Sequence, residues 1–417
     1  MFGRAEQYVF NYAKLPTLLL VVFSGFYLTR LVPVSPIYFV FVLSFFIVLW
    51  GSMIVGKQHF HPLSLPVIVY FLYLIVSQPF NHPDLNTLLN VLFSLAYLIT
   101  ILNTATSISK ADLIRFSKIF ILFTILLLTV EATWRLSHPV DLVQMALNRE
   151  KFKDTEQLFL QSDKAADGLS LSGNGEAEKN LFYAFKFSSI MFQDSNFVGT
   201  YGLIAFFFYL FLWREKFMKS SVPLYILGFL ILLTLSRSAI LTIPLTFLLL
   251  NVTKKNSSII SKVLFFFLLL IGSVLLFQKV ATDESFLSKF RIFSLAINHL
   301  NHISFIDLIN GIGFGNSVNY LGIGAHNLFL THLLESGIIG LILFLVVNLM
   351  FINGSDRKSL YLTIPMFISG MSLSAHALTF YYTCLTLIYL LTRIQSAKPV
   401  KNGTTSVNLC PDSDIQC

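Results

Sequence analysis

Residues 311–345 read GIGFGNSVNYLGIGAHNLFLTHLLESGIIGLILFL. A glycine-rich loop leads to His326 and Asn327, and an apolar helix carrying Glu335, Gly337 and Gly340 runs on from there. A helix this apolar belongs in a membrane, so His326 sits at the mouth of a membrane helix. Imidazole titrates near neutrality, and the positive end of the helix dipole at a first turn favours its uncharged, proton-accepting form. The residue types leave two readings open: a proton acceptor, or a cap at the water interface.

Working outward, the composition agrees with a membrane setting. Of 417 residues 55% are hydrophobic and 12% charged, 43 are phenylalanine, and the mean hydropathy is +0.74. A soluble core does not sustain that density along its whole length. The formal net charge of +8 does not point to nucleic acid, because the lysines and arginines fall mostly in short loops between apolar runs, where they act as topology signals. Cys384, Cys410 and Cys417 form neither a disulfide framework nor a metal pattern. The first apolar run follows Arg4 and Lys14 without a small-residue cleavage site, as expected of an uncleaved first span.

Apolar runs begin near Leu15, Val34, Pro62, Leu85 and Lys118, and a long polar segment, 137–195, follows them. A further span covers Asn196 to Trp213 and ends at Arg214, Lys216 and Lys219. Val222 to Leu250 is broken at Thr234-Leu235-Ser236-Arg237-Ser238. With basic clusters on both flanks, the positive-inside rule makes it a hairpin of two short spans with Arg237 at the tip.

Val263 to Phe277 is the next expected span, and a second long loop, 278–325, follows. In it Phe286, Phe290, Phe293 and Ile297 form a stripe at helical spacing. This predicts an amphipathic helix along the membrane surface that offers Arg291 to the space above. Ser359 to Thr392 repeats the hairpin logic around Ser374-Ala375-His376. The expectation is an all-α polytopic membrane protein of about twelve transmembrane helices over 1–394, with both long loops outside and a disordered cytoplasmic tail over 395–417. No internal repeat is visible, which speaks against transporters built from duplicated halves.

An arginine within an apolar run is costly unless it faces a water-filled cavity or an anionic partner, so Arg237 stands out. Ser236 is a good N-cap, and the free N–H groups behind it would point with the guanidinium toward a phosphate. The plainer alternative is an interfacial anchor for Arg237 and a solvated loop charge for Arg291. Asp194, Ser195 and Asn196 open a helix; a carboxylate and an amide there suit sugar hydroxyls, and equally suit capping. Glu335 lies roughly 13 Å along the helix from His326, on the opposite face, where a buried structural hydrogen bond is expected. Gly337 and Gly340 would let a neighbouring helix approach closely. Glu131, His332 and His376 have no evident partner and read as structural.

Other chemistries lack support. There is no P-loop, no HExxH or carboxylate cluster for a metal, and no GxSxG.

Three pieces in order, FQDSNFVGTYG at 192–202, LLTLSRSAIL at 232–241, and GIGFGN followed by AHNLFLTHLLESGIIGL at 311–341, resemble the O-antigen polymerase and O-antigen ligase family of bacterial membrane glycosyltransferases. The resemblance covers the C-terminal half. It implies a GT-C-like helical fold in the bacterial inner membrane, with the active site facing the periplasm and no metal or other cofactor. It further implies an undecaprenyl-diphosphate-linked glycan donor, a glycan or lipid A core acceptor, and contacts with membrane lipids, a flippase and a chain-length regulator, but not with nucleic acid.

By the same resemblance His326, Arg237 and Arg291 are the catalytic candidates, with Lys289 a rival to Arg291. Ser236, Asn327, Asp194 and Asn196 are candidates for substrate binding. The arginines would stabilise the departing diphosphate, and His326 would deprotonate the acceptor hydroxyl in an inverting transfer, with the first loop as a lid. The implied product is O-antigen, exopolysaccharide or capsular polysaccharide. Polymerase is the first reading, ligase the second, and a flippase for the same lipid-linked sugars is the alternative of another class.

Overall fold

The computed structural model describes residues 2–26, 28, 32, 34–55, 61–140, 184–186, 188–192, 195–253, 284–322, 324–373 and 378–396. The expected span at Val263 to Phe277, the break at Ser374 to His376, the tail beyond Ser396 and most of the first long loop lie outside them.

The described residues contain α-helices and no strand. In chain order the helices are α1 (Phe2–Phe23), α2 (Pro36–Val55), α3 (Ser64–Ser77), α4 (Leu85–Ala105), α5 (Lys110–Ser137), α6 (Ser195–Arg214) and α7 (Val222–Leu233). Then follow α8 (Arg237–Val252), α9 (Glu284–Leu300), α10 (Phe305–Asn310), α11 (Ser317–Leu321), α12 (Leu328–Gly354), α13 (Leu360–Gly370) and α14 (Thr379–Ser396). Five helical stretches among the described residues are long and apolar enough to cross a membrane: Ser64–Asn81, Leu85–Ala105, Lys110–Ser137, Ser195–Arg214 and Leu328–Gly354. Shorter apolar helices, α7, α8 and α13 among them, add to these. The chain is thus a helical membrane protein by its architecture.

Helix α5 begins at Lys110, ahead of the expected Lys118, because the Ser109 side chain accepts the Asp112 N–H at 3.2 Å and donates to the Asp112 carboxylate at 2.7 Å. Such a cap draws charged residues into a helix whose apolar run starts later.

The packing converges on α6, whose apolar window is 89% buried against 33–50% for the other four long stretches. Helix α7 runs back along it: Tyr209 donates to the Ser220 carbonyl, and Ile231 covers Gly202. Helix α8 then runs parallel to it, with Ser236 and Ala239 over Gly199 and Phe247 against Phe206 and Phe207. The stretch from Val222 to Leu250 is therefore a hairpin, as its central break predicts. A Cβ on Gly199 would stand 2.6 Å from Ser236 and 2.8 Å from Ala239, so the missing side chain is what lets α8 lie on α6.

Helix α13 runs opposite to α6, with Tyr361 beside Arg214 at 3.1 Å, and α14 runs parallel to it, with Phe380 edge-on to Tyr201.

One expectation is corrected. The helix after His326 does not cross in one piece. Gly337 has φ 71° and ψ −177°, and the two parts of α12 fold back on each other, so that His332 stacks on Phe344 with ring centroids 4.3 Å apart. Twelve residues of unbroken helix would separate them by about 18 Å.

Candidate functional site

The bundle has an Asn196 end and an Arg214 end. The Ser236–Arg237 turn lies at the Asn196 end. Leu235 is left-handed (φ 57°), Ser236 is extended, and the Ser236 hydroxyl accepts the Ala239 N–H at 3.3 Å, which makes Ser236 the N-cap expected from its type. The amide oxygen of Asn196 accepts the Ser236 hydroxyl at 3.0 Å and lies 3.4 Å from that of Ser238. Two substrate-binding candidates, Ser236 and Asn196, are thus bonded to each other, and they brace the turn from which Arg237 projects as an exposed side chain. Asp194 lies outside the described residues.

The glycine-rich loop does something the sequence did not announce. The break at Gly337 would strand main-chain carbonyls of the preceding turn inside the bundle, where each unpaired group is costly. They are taken up one by one. The Leu334 carbonyl accepts the Ile312 N–H at 2.8 Å, and the Glu335 carbonyl accepts the Gly313 N–H at 3.1 Å and the Gln78 amide at 3.3 Å. The Ser336 carbonyl accepts the Tyr73 hydroxyl at 2.9 Å.

This approach needs bare backbone on both sides. A Cβ on Gly311 would stand 2.3 Å from the Glu335 oxygen, and one on Gly337 would stand 2.1 Å from the Ile309 oxygen. Gly337 therefore admits the end of the neighbouring helix α10 and the start of the loop, as expected of a packing glycine, and it also reverses the chain. Gly340 lies under Ser336 across the bend, with the Tyr73 ring of α3 next to it.

Residues just after α3 complete the cradle. Gln78 is fully buried and also accepts the Phe314 N–H at 2.9 Å. Asn81 donates to the Gly311 carbonyl at 2.8 Å, and the Asp84 N–H donates to the Phe314 carbonyl at 2.7 Å. Neither Gln78 nor Asn81 stood out in sequence, since an isolated amide between two spans reads as a loop residue.

His326 stands outside α12, which corrects its expected place in the first turn. It is left-handed (φ 44°) and half-buried, and its Nε2 comes nearest to where a Cβ on Gly324 would be, at 3.8 Å. Asn327 is the N-cap: its amide oxygen accepts the Phe329 and Leu330 N–H groups at 3.0 and 3.1 Å. A short amide at that position closes the helix end, leaving the preceding residue to turn the chain. Helix α12 then sets Leu328 on Gly370 and Phe329 on Phe367 of α13. Glu335 is buried, as expected, and its carbonyl carries part of the cradle.

Helix α9 is amphipathic as its stripe predicts. Ile292 and Ala296 are buried against Ile312, Leu321, Ala325, Leu330 and Leu334, while Phe290, Phe293 and Ile297 are exposed. Arg291 is exposed on a third face. Lys289 lies one helical turn from Ile292, on the buried side, and donates to the Ser372 hydroxyl at 2.8 Å. The structure thus turns Lys289, not Arg291, toward the body of the bundle. On the same helix burial lowers the His299 pKa below 6.5; nearby His302 adds to this and Asp307 opposes it. Its ring lies 4.8 Å from that of Tyr320.

Because α13 runs opposite to α6 and α8, its Gly370 end lies at the same end of the bundle as Arg237. Leu328, next to Asn327, touches Gly370, and Lys289 holds Ser372 two residues on. Lys289 and the His326–Asn327 turn therefore meet at the Gly370 end of α13, at the same end of the bundle as Arg237.

Glu131 is not solitary either. It pairs with Arg135 one turn on, both side chains buried, and the i,i+4 spacing was there to be read.

No model of a known protein family matches the chain, and no curated protein matches it.

Proposed function

We propose that the chain is a lipid-diphosphate-dependent glycosyltransferase that polymerises undecaprenyl-diphosphate-linked repeat units at the periplasmic face of the inner membrane, within a bundle of about twelve spans. The observation that carries this reading is the gathering of an exposed Arg237, braced by Asn196, and the His326 turn at one end of the bundle. The charge distribution supports the orientation. Lys110, Arg214, Lys216, Lys219, Arg357, Lys358 and Arg393 cluster toward the Arg214 end, the end that the positive-inside rule places in the cytoplasm.

In this reading the departing diphosphate develops negative charge, and Arg237 and Lys289 stabilise it with charge-assisted hydrogen bonds. His326 accepts the proton of the acceptor sugar hydroxyl as that oxygen attacks the anomeric carbon from the face opposite the leaving group. The carbon–oxygen bond to the diphosphate breaks as the new glycosidic bond forms, which inverts the configuration.

The test is complementation of a deletion strain with wild type, His326→Ala and Arg237→Ala, with membrane expression confirmed and the surface glycan resolved on a gel. Expressed but inactive variants that leave a single-repeat band support the polymerase. Polymer retained on the lipid carrier, with bare lipid A core, assigns a ligase. A normal ladder from both variants removes His326 and Arg237 from the chemistry.

A further inference from the structure

Helix α5 has no part in the chemistry above. Near the C-terminal end of α5, Glu131 and Arg135 form a buried ion pair. The carboxylate and one guanidinium nitrogen both bond main chain of one segment, just ahead of α6, while the Arg135 Nε is buried without a hydrogen-bond partner among the described residues. The Glu131 carboxylate accepts the Ile190 and Met191 N–H groups at 2.9 and 3.1 Å, and the Arg135 guanidinium donates to the Lys186 carbonyl at 2.7 Å. These bonds to main chain offset part of the cost of burying the pair.

Because the grip is on backbone, it sets the register of the segment whatever its side chains are. The Phe192 ring, next to Met191, stacks on that of Phe197 in the first turn of α6, with centroids 5.6 Å apart, and the neighbouring Asn196 holds the Ser236 hydroxyl and lies beside that of Ser238.

We infer that Glu131 is a positioning residue for Arg237: its carboxylate fixes residues 190 and 191, the Phe192–Phe197 stack carries that hold to the first turn of α6, and Asn196 there fixes the hydroxyls on either side of the arginine. The direction of the guanidinium is then set by α5. The consequence for catalysis rests on the reading of Arg237 as the anion-binding group, whereas the mechanical linkage does not.

The linkage is tested on full-length protein by the rate at which phenylglyoxal modifies Arg237, read by peptide mass spectrometry, with Arg214 and Arg291 as internal controls. Glu131→Gln weakens the latch by removing its charge. Ile190→Pro removes one N–H and leaves the ion pair intact, so it serves if Glu131→Gln does not fold. Either variant should raise the Arg237 rate about tenfold through local release of the turn, with the controls unchanged. An unchanged Arg237 rate in a folded variant overturns the inference.

A double-mutant cycle on farnesyl diphosphate binding gives the second readout. Glu131→Gln should weaken binding about tenfold in the wild type and not further in Arg237→Ala. Losses that multiply would make Glu131 merely structural. If Arg237→Ala binds the diphosphate as wild type does, the functional reading of Arg237 fails, and the modification rate still decides the linkage.

Discussion

His332 and Phe344 stack within 18° of parallel although they lie twelve residues apart in α12. The stacking leaves the part of α12 after Gly337 to descend alongside α14, where Phe351 meets Tyr389. The part before Gly337 instead holds the His326 turn against α13. Gly337, its cradle and Lys289 each lead to a measurable expectation.

Gly337→Ala should cost more than Gly322→Ala. Both residues have positive φ, but Gly322 is left-handed (φ 68°, ψ 2°), where a side chain costs roughly 1–2 kcal/mol, whereas Gly337 (φ 71°, ψ −177°) lies in a region essentially reserved for glycine. A Cβ at Gly322 meets nothing within 4 Å, whereas at Gly337 it drives into the Ile309 carbonyl. Gly337→Ala is expected to abolish recovery of monodisperse protein, and Gly322→Ala to lower the midpoint of thermal unfolding by a few degrees. Size-exclusion profiles and thermal unfolding of detergent-solubilised protein check this, and equal behaviour would mean the reversal at Gly337 is not needed.

Gln78→Leu strips the cradle of an acceptor and a donor while keeping the volume. It leaves the Phe314 N–H without its partner, at a cost of about 1–3 kcal/mol for a buried group. Hydrogen exchange at the Phe314 amide should accelerate by about 10-fold or more, ahead of global unfolding. Exchange as slow as in the wild type would count against Gln78 as its acceptor.

Lys289→Ala and Arg291→Ala separate two cations on neighbouring faces of α9. If the cation facing α13 stabilises the leaving diphosphate, Lys289→Ala should lower transfer by about 100-fold, the scale for losing one charge-stabilising donor. Arg291→Ala should change it less than about threefold, as for an exposed charge. Measured kcat in a reconstituted transfer assay decides, and the reverse order would restore Arg291 to the site.

His299 supplies a pH signature outside the spans. Its folded pKa lies below the ordinary 6.5, chiefly through burial, so the folded state holds fewer protons than the unfolded chain. Its neutral form is accommodated without penalty above pH 6.5. As the pH falls from there through the lowered value, the unfolded state takes up the proton first and stability is lost. The unfolding midpoint of wild type minus that of His299→Gln should therefore fall between pH 7.5 and 5.5. A constant difference would show that the imidazole titrates as it does in water.

Much of the architecture was legible in the chain because one-dimensional rules suffice for it. Hydropathy sets which segments enter a membrane, the break at Thr234 to Ser238 marks the hairpin, Ser236 is a good N-cap by type, and the phenylalanine spacing of α9 marks an amphipathic helix. The partner of Glu131 was also written in the i,i+4 spacing. Gly337 was read as a packing glycine and does admit the end of α10, but composition could not choose between a straight helix and one reversed there. That choice was made by Gln78, Tyr73 and residues 311–313, which are remote in sequence and offer hydrogen bonds to the stranded carbonyls. The same holds for Lys289 over Arg291. Two residues of spacing separate the cations, and only the packing of Ile292 and Ala296 onto the loop decides which of them faces inward. Local sequence determined the elements and their caps; tertiary structure determined where a helix could afford to break, because only there were partners present for the freed backbone.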